Sequence, residues 1–283
     1  MPYRKAINVL QGGGVLAEYG PMRLVISASV GRVPQSEMGL RAAEESFKYL
    51  ERVAYLRDRL GKRLPEVPED MNDCLAVNMV NSVLAVGDED LTPMAAVAGT
   101  IGDAVADFLF DRGMTRVMVD NGGDLALRLK GGEPLTVGTR TGVEEEEISH
   151  VIALGPYKTS WGIATSGMGG RSLTRGVASA VTVIAGRCSL ADAAATAVAN
   201  ASFVEDPHVV QRPAEELDPN TDILGLPVTV KVGPLSEEKR RIAISRAMER
   251  VEGLVQKGII FGALVAVQGR VTMTDFFRQR LVK

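Results

Sequence analysis

The sequence predicts an α+β fold with mixed or antiparallel sheets and long helices. Three observations carry this. Two stretches, beginning near Pro34 and at Ser236, hold apolar residues at helical spacing beside a charged face. Short runs of β-branched residues meet at glycine turns, as at Gly269-Arg270, which is how antiparallel hairpins are written. The two halves also share a plan of strands, long helix and strands, which hints at an internal duplication. No low-complexity linker or short-period repeat divides the chain, so residues 1–283 read as a single unit.

In chain order, residues 22–29 predict a strand after the turn-forming Gly12 to Gly14 and Gly20-Pro21, with residues 4–10 as its hairpin partner. A helix follows from Pro34, capped by Ser36, with Met38, Leu40, Ala43, Phe47, Leu50 and Ala54 on its apolar side and Gly61 at its end. Residues 74–86 are an apolar run that periodicity leaves open between helix and strand. Thr92-Pro93 reads as N-cap and first residue of an Ala- and Gly-rich helix reaching Gly113. Strands are expected at 116–119, around 125–129, and at 135–139, 150–154 and 180–185. A helix is expected over 190–201. The Pro-, Asp- and Glu-rich residues 205–227 read as a surface excursion, a candidate lid. A strand at 228–232, a helix capped by Ser236 and a closing hairpin over 259–274 complete the chain.

Composition excludes several classes. The net charge is -3 with no basic cluster, so neither a nucleic acid polymer nor an anionic membrane surface is an expected partner. Aromatic residues make up 5%, too few for base-stacking platforms. Cys74, Cys188, His150 and His208 lack the short spacings of a zinc site. Both cysteines read as small buried hydrophobes of a reducing compartment, and a cytoplasmic chain is expected. A homo-oligomer is compatible with the sequence.

Several stretches could carry chemistry. Asp192 and Thr196 lie four apart in a nearly all-alanine helix, so both oxygens face one way. That pair suits Mg2+. It equally suits a first-turn carboxylate and a hydroxyl bonded back to its own helix. Asn121-Gly122-Gly123-Asp124 interrupts a strand pattern, as a hairpin turn or as a place where backbone amides meet a ligand. Thr165, Ser166, Gly167, Gly169, Gly170, Ser172 and Thr174 crowd hydroxyls and glycines together, which composition reads as a surface loop. The acidic residues 144–147 read as a solvated loop.

Taken in order, the Asn-Gly-Gly-Asp turn, Ala164-Thr165-Ser166-Gly167, and the strand 181–185 leading into an Ala-Asp-Ala-x-Ala-Thr-Ala helix resemble the ApbE superfamily of flavin transferases. They are most similar to its soluble branch in methanogens and other anaerobes. The resemblance covers about residues 92–201 and implies an ApbE-like, T-fold-related architecture. It implies Mg2+ on Asp192 and Thr196. It also implies a phosphorylated or nucleotide ligand, FAD or FMN, on Asn121, Gly122, Gly123, Asp124, Thr165, Ser166, Gly167, Arg171 and Ser172. Two departures weigh against transfer chemistry. Gly99 stands where the flavin transferases carry a lysine, and no histidine follows the Thr-Ser-Gly block. Arg171 or Arg175 could replace the lost phosphate contact. The branch also implies, as alternatives, an enzyme or accessory factor of sulfur assimilation into homocysteine, or a non-catalytic binding protein.

Overall fold

A computed structural model describes residues 3–64, 66–67, 71–131, 134–142, 147–155, 157–170 and 172–282. Strands β1 (Ala6–Val9), β2 (Val15–Tyr19), β3 (Met22–Val30) and β4 (Val33–Pro34) precede helices α1 (Ser36–Tyr55), α2 (Arg57–Leu60) and α3 (Cys74–Val86). A 3-10 turn, Pro93–Ala96, opens α4 (Val97–Phe110). Then come β5 (Arg116–Asn121), β6 (Asp124–Leu129), β7 (Leu135–Thr139), β8 (His150–Leu154), β9 (Ser160–Ser166) and β10 (Ala180–Ala185). The chain closes with α5 (Cys188–Ala201), β11 (Val209–Pro213), α6 (Ala214–Leu217), β12 (Pro227–Val232), α7 (Glu237–Gln256), β13 (Ile260–Val267), β14 (Arg270–Met273) and α8 (Asp275–Arg278).

One large sheet runs β1-β2-β3-β5-β6-β9-β10-β13-β14, with β4 paired to β3. Its pairings are antiparallel. The fold is α+β, as expected. The two halves share their plan. Hairpin β2–β3, helices, then hairpin β5–β6 correspond to hairpin β9–β10, helices, then hairpin β13–β14, and β6 pairs β9 where the halves meet.

Helix α1 packs over β2 and β3, α4 over β5 and β6, α5 over β9 and β10, and α7 over β13. Side chains alternate along each strand. On β10, Val181, Val183 and Ala185 join the core under the helices, while Ala180 and Ile184 join a core on the opposite face with Trp161, Phe277 and the β7–β8 hairpin.

Helix α5 sits deepest. Six alanines on it are buried, and three glycines let neighbouring backbone close in. A Cβ at Gly99 or Gly162 would fall inside the backbone at the start of α5, and one at Gly176 would strike the Ala199 carbonyl. Small residues here are a requirement of close packing.

Several expectations change. The partner of β3 is β2, a strand the sequence reading passed over, and residues 6–9 pair with β2 instead. Residues 74–86 are a helix, capped by the Asp73 carboxylate and ended by Gly87 in the left-handed conformation. Ser36 is inside α1, with its hydroxyl donating to the Gly13 carbonyl at 2.9 Å, so it is not a cap. The Thr92 hydroxyl pairs with Asp222 and leaves the following turn uncapped. The hydroxyl- and glycine-rich stretch begins as β9, in the middle of the sheet, with Trp161 fully buried. Within β9, Gly162 is the residue the start of α5 presses on. The 205–227 excursion contains β11 and α6, and Arg57, Arg63 and Thr92 tie it to the body through Asn220, Leu224 and Asp222. Cys188 is buried as expected, but Cys74 is exposed. Pro65, Pro68, Arg171 and most of the acidic run 144–147 lie outside the described residues. The 18-residue stretch Pro93–Phe110 is long and apolar enough to cross a membrane by composition, and it is packed against α1, α5 and the sheet.

Candidate functional site

The predicted residues converge at one end of the large sheet. The turn between β5 and β6 is a hairpin with Gly122 at φ 70° and Gly123 at φ 110°, a conformation that favours glycine. Asp120 fastens it by accepting from the Gly123 amide at 2.7 Å. Asn121 is buried and donates to the Ala98 carbonyl at 3.0 Å, fixing the turn to the start of α4. Leu125 pairs with Ile163, so the end of β9 extends past this turn.

On β9, Ala164 and Ser166 face the helices and Thr165 faces away, as strand alternation requires. Ser166 is 6% exposed and its Oγ has no hydrogen-bond partner. Gly167 turns the chain at φ 147°, pressed against the Ser179 and Ala178 carbonyls. Thr165 instead lies 2.9 Å from the Thr182 hydroxyl on the other face. Ser172 is exposed.

Above the sheet, Asp192 and Thr196 are partly buried, one turn apart on α5. Asp192 Oδ2 accepts from the Gly99 amide at 2.9 Å. Burial and the neighbouring Asp124 carboxylate push the Asp192 carboxyl well above the ordinary carboxylate range, against the pull of the Gly99 and Ala98 amides. One turn past Thr196, Asn200 Oδ1 accepts from the Arg175 amide at 2.9 Å. The Arg175 guanidinium pairs with Asp90, and its Nε is buried without a partner.

The structure thus puts Asn121, Gly122, Gly123, Asp124, Ser166 and Gly167 at the same end of the sheet, with Asp192 beside Asp124 and Thr196 one turn further along the same side of α5. It sends Thr165 to the opposite face. The reason for Gly99 is now visible: the start of α5 occupies the space any side chain there would need.

The sequence reading missed the ion-pair network beside the site. Arg128 on β6 is 2% exposed and bonds Asp103 at 2.9 Å and Asp107 at 2.6 Å, both on α4. Arg187 reaches the same carboxylates at 3.4 and 2.9 Å, and the Ser189 amide donates to Asp103 at 3.0 Å. Two signals were present: the four-residue spacing of Gly99, Asp103 and Asp107, and an arginine inside the leucine pattern of β6. Cys188 lies against this network. Burial, then Asp103, Asp124 and Asp192, push its thiol up, which makes it an inert packing residue.

Among the described residues, no three His, Cys, Asp or Glu side chains gather as a metal cage. The oxygens available to a hard cation are the Asp192 carboxylate and the Thr196 hydroxyl, with the Asp124 carboxylate close by. Oxygen donors with excess negative charge fit Mg2+, which keeps several waters and needs few protein ligands.

An antiparallel sheet of two like halves with helices packed on one face fits the ApbE fold. The family described as AbpE bacteria matches residues 7–273, and the chain belongs to it. The UPF0280 protein of Methanosphaerula palustris is 34% identical over 165 residues, 58% of this chain and 66% of its own length. The UPF0280 protein of Methanococcoides burtonii is 37% identical over 132 residues, 46% of this chain and 54% of its own length. The chain therefore spans about half to two thirds of the length of these curated relatives. Among solved structures, the flavin transferase ApbE from Vibrio cholerae has a TM-score of 0.56 at 14% identity, covering 99% of this chain and 100% of that one. The ApbE protein from Thermotoga maritima has a TM-score of 0.53 at 14% identity, with the same coverage. These two likenesses are of fold.

Proposed function

We propose that this end of the sheet binds a phosphorylated, nucleotide-type ligand, FAD or FMN, together with Mg2+. The observation that supports this most is the Ser166 hydroxyl. It is buried, has no partner, and stands where the Asn121–Asp124 turn and α5 converge. A buried hydroxyl without a bond costs about 1–3 kcal/mol, which a ligand oxygen would recover. In this reading Ser166 orients a ligand phosphate, Gly122 and Gly123 let its backbone approach closely, and Asp192 with Thr196 holds the cation. When bound, Mg2+ would neutralise the charge of a diphosphate. Asn121 holds the turn against α4 so that these groups keep their places. With no lysine at Gly99 and no histidine after Gly167, the reading is one of binding, and flavin transfer stays with the Vibrio cholerae protein's name.

Thermal unfolding of the purified chain with FAD, with and without Mg2+, tests this. FAD is expected to raise the melting temperature saturably, more with Mg2+ than without, and Asp192→Asn is expected to abolish the Mg2+-dependent part. A melting temperature indifferent to FAD and Mg2+, or a shift unchanged in Asp192→Asn, overturns the reading.

A further inference from the structure

A separate cavity of about 320 Å³ opens between α3 and the first turn of α5, lined by Asn78, Asn81, Ser82, Arg187, Ser189 and Leu190. No carboxylate lines it. Ser82 and Ser189 are 3% and 5% exposed, and their hydroxyls hydrogen-bond to none of the described residues. The amides of Asn78 and Asn81 are likewise unengaged. Arg187 is held from behind: Asp103 takes its Nε and Asp107 its Nη2, which leaves Nη1 unpaired among the described residues. The 14-residue helix α5 starts at this cavity with no cap and no acidic residue of its own in its first turn, and the one carboxylate bonded there, Asp103, takes the Ser189 amide.

We infer that this cavity is a binding site for a small oxyanion of the phosphate type, distinct from the sheet-end site. The two serine hydroxyls are unengaged and line the cavity, so they are free to bond a ligand in it. Two unengaged amides and a guanidinium oriented with Nη1 toward no other described residue select a negatively charged oxygen group. The inference is independent of flavin binding, because the cavity draws on α3 and the start of α5 and uses none of Asn121, Ser166 or Thr196.

The test is thermal unfolding against inorganic phosphate at constant ionic strength, with chloride and acetate in parallel arms. Phosphate is expected to raise the melting temperature saturably and chloride to do nothing. Saturation by acetate as well would assign the site to carboxylates within the oxyanion class. Asn81→Asp places a negative charge at an exposed position of the cavity and leaves the ion pairs of Arg187 alone. It is expected to weaken apparent phosphate affinity by about tenfold or more, as is Arg187→Gln. Asp192→Asn is expected to leave the phosphate effect unchanged, which separates this site from the other. The inference is overturned by a phosphate effect that does not saturate, one that survives Asn81→Asp, or one that disappears only in Asp192→Asn.

Discussion

Two aspartates cross the same helix junction in opposite directions. Asp103 of α4 accepts from the Ser189 amide at the start of α5, and Asp192 of α5 accepts from the Gly99 amide in the first turn of α4. Neither helix has a side-chain cap of its own, so each borrows one from the other. Their surroundings differ. Asp103 is matched by Arg128 and Arg187, which pair with its two oxygens at 2.9 and 3.4 Å inside the protein. Asp192 has amides for partners and the Asp124 carboxylate for a neighbour, and with burial these disfavour its ionised form. One geometry therefore serves two ends. With cations supplied by the chain it is scaffold; without them it is the place where the proposed function puts Mg2+.

The largest break comes from Arg128→Met. It leaves Asp103 buried with only Arg187 to oppose it, and breaking a buried pair this way costs about 3–5 kcal/mol. Denaturant unfolding reads that loss directly. A loss under about 1 kcal/mol would mean the network carries no such load and that the two junction aspartates do not differ as described.

The next comparison sets Asp103→Asn against Asp192→Asn, both unfolded in EDTA. An asparagine oxygen can still accept from the facing amide at either position. Asp103→Asn takes the charge from two arginines and is expected to cost about 2 kcal/mol, in the range of charge-assisted hydrogen bonds. Asp192→Asn removes a carboxylate that repels Asp124 and is expected to fall within about 0.5 kcal/mol of the parent. Equal costs would erase the distinction.

What could be read from the sequence follows from how local each feature is. Ser236 caps α7 from the adjacent position, the Gly269-Arg270 hairpin is closed by its own neighbours, and Asn121–Asp124 is a turn by its own residues. Such signals sit within a few residues of what they build. The caps of α4 and α5 do not: Asp192 and Gly99 are 93 residues apart, and Asp103 and Ser189 are 86 apart. The same distance hid the meaning of the glycines. Gly99 reads as one glycine of an Ala- and Gly-rich helix until α5 is laid against it, and the crowd of hydroxyls and glycines over 165–174 read as a loop because nothing local shows that Thr165 and Ser166 end a central strand. Family order recovered Asp192 and the turn for the candidate site. Arg128 left a trace as an arginine among the leucines of β6, whereas Arg187 emerged only from the packing.

Helix α3 supplies the smallest test, because it carries its own cap. Asp73 Oδ1 accepts from the Leu75 and Ala76 amides at 2.8 and 3.3 Å, and Oδ2 bonds Arg52 at 2.8 Å. Partial burial pushes its carboxyl up, but Arg52 and the two amides outweigh that and hold it below the ordinary carboxylate range. A carboxyl depressed on folding stabilises above its unfolded value, about pH 4, and loses that contribution as pH falls through the folded value. Asp73→Ala is therefore expected to cost about 1 kcal/mol at neutral pH. The gap between parent and variant should hold steady down to about pH 4 and close below it. Melting temperatures of the pair across that range measure it. A gap that widened in acid would show that ionised Asp73 does not stabilise α3. Closure would set a half-buried cap supplied by the adjacent residue, lost with one proton, against the Asp103 cap that reaches α5 from another helix and is paired with two arginines.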